Sequence, residues 1–166
     1  MKLSVLTACA LVAVLAPCAA FAQAAAPAAP AAAPAPTYGA PITLEQAKTV
    51  VAAAEAEARK RGVAVTIVVV EPNGTITLSQ RMTGASYSSA ETAPNKARST
   101  ALWMRPTSSW IETLKTNPSA ATIVNVVATN GGELIISGGR IIGAIGVGGS
   151  GANEGDIAKV GVAAVK

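Results

Sequence analysis

Residues 133–151 read ELIISGGRIIGAIGVGGSG, and this pattern predicts two β-strands joined by a tight turn. The strands are expected over 133–137 and 140–147, which together contain six Ile and Val residues. Gly138 and Gly139 between them suit a two-residue hairpin turn, which requires a positive φ angle at both of its central positions. The C-terminal part of the chain is therefore expected to contribute an antiparallel hairpin to a sheet.

A helix and a second hairpin are predicted upstream. Thr43 is the expected helix N-cap, Gln46 can complete a capping box with it, and Gly62 is a suitable stop at the other end. A β-branched run over 63–70 and an alternating run over 75–82 then flank a Pro-Asn-Gly turn. These segments predict a helix followed by two antiparallel strands.

The middle and the end of the chain are predicted to be mainly helical. A helical region is expected over 86–104, interrupted or begun afresh at Pro94, and a short helix over 109–115. A further strand is an option over 122–127, and a final helix is expected over 153–165. The order α, β, β, α, α, β, β, α predicts an α/β (α+β) domain with a central antiparallel sheet and helices packed on it.

The N-terminal segment has the features of a signal peptide. Lys2 precedes a 14-residue apolar run over 3–16, and Ala-Phe-Ala at 20–22 is a cleavage signal. This run is shorter than the roughly 20 residues that a membrane-spanning helix needs. We expect residues 1–22 to be removed and the protein to be exported, periplasmic or secreted, without a stable membrane anchor. A lipoprotein, with a lipid on Cys18, is the alternative.

A linker is expected after the signal peptide. Residues 23–36 read QAAAPAAPAAAPAP and contain only Ala, Pro and one Gln. The prolines prevent a continuous helix, and no large side chain is present to be buried. The sequence therefore predicts an Ala/Pro-rich linker over 23–40 and one folded domain over 41–166. Such a domain has about 126 residues, which is long enough to build its own core.

The composition excludes several classes of site. The 166 residues include no His, so Ser-His-Asp catalysis, an H-E-x-x-H zinc site and a proximal His on haem iron are impossible. Cys9 and Cys18 both lie in the segment expected to be removed, so we expect no disulfide and no metal site. The formal charge of +4 is modest, and basic residues are not interleaved with stacking aromatics. A nucleic-acid partner is therefore not expected.

Glycines at the end of the second hairpin match G-x-G-x-x-G. Only 15 residues follow Gly151, too few to complete a βαβ unit, so a dinucleotide fold is excluded. Two interpretations remain. In the first, an anion-binding turn of Gly148, Gly149, Ser150 and Gly151 holds a carboxylate or phosphate through its amides. In the second, the glycines allow the backbone to pack closely.

Basic residues cluster around the predicted second helix. They are Lys96, Arg98 and Arg105. One interpretation is an ordinary solvated helical face. The other is a basic rim that binds the carboxylates of an anionic ligand, with Trp103 or Tyr87 as an apolar wall.

These segments together resemble the GlcG/HbpS family, whose members are commonly described as haem-binding or haem-degrading. The resemblance covers residues 42–165, and it rests on ITLEQAKTVV from 42, RMTGA from 81, NKARST from 95, RPTS from 105 and IGAIGVGG from 142. It implies a profilin-like fold and homo-oligomers. The family also resembles the C-terminal part of a cobalamin-related protein, so a tetrapyrrole-like ligand is a shared theme.

The resemblance implies a haem-binding site. In the family haem can be held by a threonine, and the matching region offers Thr100 and Thr107. Met82, Met104 and Tyr87 are alternative ligands of the iron. The basic residues named above would pair with the haem propionates.

Three functions follow from these observations. The first is an exported, oligomeric haem- or tetrapyrrole-binding protein that takes part in haem or iron sensing or handling. The second is an enzyme or binding protein for a small organic acid or aromatic metabolite. The candidate general acids and bases of such an enzyme are Tyr87, Glu91, Glu154 and Asp156. The third is a ligand-free sensory or interaction module. Because such a set is poor for chemistry near neutral pH, a binding protein is favoured over an enzyme.

Overall fold

The two predicted hairpins form a single mixed sheet. The computed structural model describes residues 36–165. Its strands are β1 (Thr37–Tyr38), β2 (Thr66–Val70), β3 (Ile76–Arg81), β4 (Gly132–Ser137) and β5 (Arg140–Gly148). Strand β5 is central, since it pairs antiparallel with β4 and with β2, and β3 pairs antiparallel with β2. Strand β1 runs parallel to the start of β5.

Four α-helices pack on this sheet, as expected for an α+β fold. They are α1 (Leu44–Lys60), α2 (Ser89–Trp103), α3 (Ser109–Thr116) and α4 (Glu154–Ala163). Helix α1 begins with the predicted capping box: the Gln46 amide donates to Thr43 Oγ1, and the Thr43 amide donates to Gln46 Oε1. Gly62, with a φ of 68°, follows its end. The turn between β4 and β5 has the expected positive φ angles at Gly138 and Gly139.

Each face of the sheet has its own apolar core. Ile67 and Val69 point towards α1 and α4, whereas Val68 and Val70 point towards α2. The α2 side is built largely of small residues: Ala93, Ala97, Ala101 and Ala144. Small side chains bring α2 close to the sheet, so the space between them is narrow.

Two predictions about the middle of the chain are wrong. Helix α2 is continuous through Pro94, which lacks only the bond to the carbonyl of Ala90. Packing of the alanine face on the sheet outweighs that loss. Residues 122–127 form no strand: a 3-10 turn over Pro118–Thr122 runs into this segment, and Asn125 has a φ of 61°.

The described fold begins before Pro41, the expected start of the domain. Thr37 and Tyr38, which the sequence assigns to the linker, pair with the beginning of β5. The Tyr38 hydroxyl also donates to the carbonyl of Ala101 at 2.6 Å and so satisfies the C-terminal end of α2. The signal peptide and most of the linker lie outside the described residues. No helix in residues 36–165 is both long and apolar enough to cross a membrane.

Candidate functional site

Lys96 is buried rather than part of an exposed basic rim. It is 5% exposed, and its ammonium lies 2.6 Å from Glu154 Oε2 and 3.1 Å from the carbonyl oxygen of Val147. Gly131 packs against the same group: a Cβ at Gly131 would lie 2.5 Å from the Val147 carbonyl oxygen and 2.9 Å from the Glu154 Cβ, the two residues that bind the ammonium. The expectation of Lys96 at the rim is therefore corrected.

The glycine turn already holds a carboxylate of the same chain. The amides of Gly149 and Ser150 donate to Glu154 Oε1 at 2.8 and 3.2 Å. Gly149 and Gly151 have φ angles of 113° and 60°, which glycine adopts without strain. These two amides are thus occupied from within and are not open to an external anion in this conformation.

The glycines in the last part of β5 let α2 approach the sheet. A Cβ at Gly146 would overlap the backbone of Ala93 and Ala97. A Cβ at Gly148 would lie 2.6 Å from Thr92 Oγ1. Close packing, the second interpretation of the glycine motif, therefore accounts for these two positions.

The structure brings Thr100 and Thr107 together, beneath the surface. Both are fully buried, on either side of Gly132. The Gly132 amide donates to Thr107 Oγ1 at 2.9 Å, and Thr100 Oγ1 has no hydrogen-bond partner in the described part of the chain. A Cβ at Gly132 would overlap both side chains. Neither hydroxyl is accessible to a large ligand in this conformation.

Two other predicted site residues have separate roles. Met82 packs against the core on the α1 side of the sheet, so it is not brought together with the residues of α2. The Arg105 guanidinium stacks on the Trp110 ring, 4.0 Å from its centroid. It also donates to Ser109 Oγ and Thr113 Oγ1. Arg105 therefore positions α3.

The acid–base candidates of the enzyme alternative are dispersed. Glu154 is held by Lys96, and Asp156 lies 3.2 Å from Arg61 near the surface. Tyr87 is highly exposed at the other end of α2 from Trp103, with Arg81 over its ring. Within residues 36–165, no three Asp, Glu, His or Cys residues are grouped so that they could hold a metal ion.

Arg98 is the predicted basic residue that remains exposed. Its Nε donates to the carbonyl of Gly74 at 3.4 Å, and no carboxylate in the described chain pairs with it. Arg98 borders an open cleft of about 240 Å³ between the β2–β3 turn and α2. The residues that line this Arg98 cleft are Pro72, Asn73, Gly74, Arg98, Leu102 and Asn125.

An exposed apolar surface adjoins the cleft at the C-terminal end of α2. This α2 patch comprises Leu102, Trp103, Met104, Ile123 and Val124. Val124 is 74% exposed, and its carbonyl accepts a bond from Trp103 Nε1 at 3.3 Å. Sequence reasoning missed Ile123 and Val124, because a short apolar run resembles a strand and nothing local indicates that it packs beside Trp103.

Comparisons with known proteins agree with this fold. A family model described as haem degrading protein HbpS-like matches residues 42–165. The crystal structure of a double mutant of Streptomyces reticuli HbpS has a TM-score of 0.72 and 32% identity, covering 87% of this chain and 99% of that one. The comparison with curated proteins found no match.

Two further crystal structures are similar. The Klebsiella pneumoniae protein ORFY, of the DUF336 family, has a TM-score of 0.70 and 28% identity, covering 77% of this chain and 92% of that one. A PduOC:heme complex has a TM-score of 0.69 and 26% identity, covering 76% of this chain and 96% of that one. The family match spans nearly all the described residues, which confirms the resemblance: the chain belongs to the family described as haem degrading protein HbpS-like.

Proposed function

We propose that the protein binds haem on the α2 patch, with Arg98 beside a propionate. Haem combines an apolar macrocycle with two carboxylates. The observation that carries this proposal is an exposed apolar surface adjoining a guanidinium that has no carboxylate partner in the described chain. Membership of a haem-related family and a similar structure in complex with haem support the same ligand.

The residues present fit an open haem site. The Arg98 cleft, at about 240 Å³, is smaller than the roughly 300–1,000 Å³ of pockets that enclose a ligand. The cleft is large enough for one edge of the haem macrocycle, and the α2 patch would cover one face of the macrocycle. Met104, which is 40% exposed, offers a thioether for the iron, whereas the buried Thr100 and Thr107 would reach it only after β4 moved away from α2. Bound haem would supply the iron for redox chemistry.

A haemin titration of the purified protein, followed at the Soret band, tests the proposal. We expect a saturable shift with micromolar affinity. Arg98→Ala and Leu102→Ser should each weaken binding about tenfold. Arg98→Ala removes a charged hydrogen-bond donor, and Leu102→Ser removes the exposed half of the leucine side chain that would contact the ligand.

Matched controls lie on α1, which packs on the other face of the sheet. Arg59→Ala removes an exposed arginine, and Leu44→Ser removes a leucine that is 43% exposed, compared with 50% for Leu102. Both controls should titrate like the unchanged protein. A Soret change no larger than that of an unrelated protein would overturn the proposal, and equal losses in the control variants would remove the assignment to the α2 patch.

We also propose that the protein is exported, to the periplasm or the medium, and works there as a homo-oligomer in haem or iron sensing or handling. The support is the signal-peptide pattern of residues 1–22 and the family resemblance. Mass spectrometry of the protein from a native cell envelope or culture medium should give an N-terminus at Gln23. Light scattering should give a mass above that of one chain. A protein that keeps residues 1–22 and stays in the cytoplasm would contradict the proposed export. A mass equal to that of one chain would contradict the proposed homo-oligomer.

A further inference from the structure

We infer that the Arg98 cleft is a carboxylate-binding site, which takes the carboxylate of a ligand with an apolar body. Such a ligand is either a tetrapyrrole with propionate side chains or a free aromatic acid. The tetrapyrrole case rests on the haem-binding function proposed above, whereas the free-acid case does not.

Arg98 supplies the charge of this site. Only its Nε has a partner in the described chain, the Gly74 carbonyl oxygen, so its two terminal nitrogens are left as donors. The bond to Gly74 ties the side chain to the β2–β3 turn, and Arg98 lines the cleft beside it. Two parallel N–H groups of a guanidinium match the two oxygens of a carboxylate.

Two carboxamides complete the set of donors. Asn73 Oδ1 accepts the amide of Thr75 at 2.8 Å, which fixes the side chain and leaves its NH2 group to donate. Asn125, with a φ of 61°, also lines the cleft. A left-handed backbone is rare outside glycine, and asparagine tolerates it better than most residues. The cleft is therefore lined by a cation and two amides, with no acidic residue among its lining residues.

The remaining walls and the volume define the body of the ligand. Pro72 and Leu102 give the cleft two apolar sides, and Leu102 continues into the α2 patch. About 240 Å³ accommodates a carboxylate with a single ring but not a tetrapyrrole, whose macrocycle must extend over the patch. Polar sugars and phosphates lack the apolar body that these walls suit.

Three probes separate the two sources of the carboxylate: haemin, haemin dimethyl ester and benzoate. In the same detergent, haemin should bind about tenfold more tightly than its ester, which keeps the macrocycle but lacks free carboxylates. Benzoate alone should bind with millimolar affinity, measured by shifts of the backbone amide NMR signals of Asn73 and Gly74. Arg98→Gln should abolish benzoate binding, and Asn125→Gly, which keeps the left-handed backbone, should weaken it severalfold. Arg59→Gln is the matched control.

The outcomes are distinguishable. Equal binding of haemin and its ester, with no benzoate shift, would overturn this inference while leaving haem binding intact. Benzoate binding that depends on Arg98, without binding of either haem compound, would support the carboxylate site, assign it to a free acid and remove the haem function. Benzoate binding that Arg98→Gln and Asn125→Gly leave unchanged would place the acid elsewhere and overturn the inference.

Discussion

Replacing Glu154 with Gln is expected to destabilise the fold by about 3–5 kcal/mol, because the buried Lys96 ammonium loses its counter-charge. The two side chains are only 6% and 9% exposed, and the carbonyl of Val147 is the other acceptor that Lys96 has. The Gln oxygen can still accept the amides of Gly149 and Ser150, so the glycine turn keeps its bonds and the loss is mainly electrostatic. A loss of this size is a large fraction of the roughly 5–15 kcal/mol that stabilises a typical domain.

Urea denaturation followed by tryptophan fluorescence measures this loss. Glu112→Gln is the matched control, because its pair with Lys115 is exposed and should cost less than about 1 kcal/mol. Adding Lys96→Met to Glu154→Gln should recover most of the stability, since no charge is then left buried. This double variant also provides the comparison if the single variant does not fold. A cost below about 1 kcal/mol for Glu154→Gln, or no recovery, would refute the reasoning.

Three other contacts give predictions measurable by denaturant midpoints. Gly146→Ala should cost about 3 kcal/mol, because its Cβ would overlap α2, whereas Gly138→Ala, in open space at φ 56°, should cost about 1–2 kcal/mol; equal costs would contradict the packing role. Burial raises the pKa of Glu133, so ionisation opposes folding: Glu133→Gln should stabilise the protein at pH 7, with no gain well below its ordinary pKa of 4.5. A gain that persists in acid would contradict this cause. Tyr38→Phe should cost about 1 kcal/mol through the lost bond to Ala101, and no change would show that bond to be replaceable by water.

The elements that the sequence predicts well are those with local causes. The capping box of Thr43 and Gln46 needs only four residues, and the turn at Gly138 and Gly139 needs two. The strand and helix patterns on either side extend over one element each. In all these cases the residues that determine the structure are neighbours in the chain, so their pattern is visible without a fold.

The features that the sequence did not predict depend on distant contacts. Strand β1 has only two residues and exists because the start of β5 is available to pair with it. Pro94 stays inside α2 because the helix packs on the sheet through alanines before and after it. Lys96 turns inward because its partner Glu154, 58 positions later in the chain, lies beside it in the fold. No pattern within a short stretch of sequence predicts these contacts.

The same distant contacts determine which part of the surface is left to bind a ligand. The sequence offers three cations and a glycine turn as anion sites, and it gives no reason to choose among them. The fold pairs Lys96 with Glu154 and stacks Arg105 on Trp110, and Glu154 also occupies two amides of the turn, those of Gly149 and Ser150. Each of these groups is a good anion site in isolation, and each already has a partner inside the protein. Arg98 has no carboxylate or aromatic partner among the described residues, and only its Nε is bonded, to the Gly74 carbonyl, so ligand binding is inferred at its cleft because the fold satisfies the other candidates.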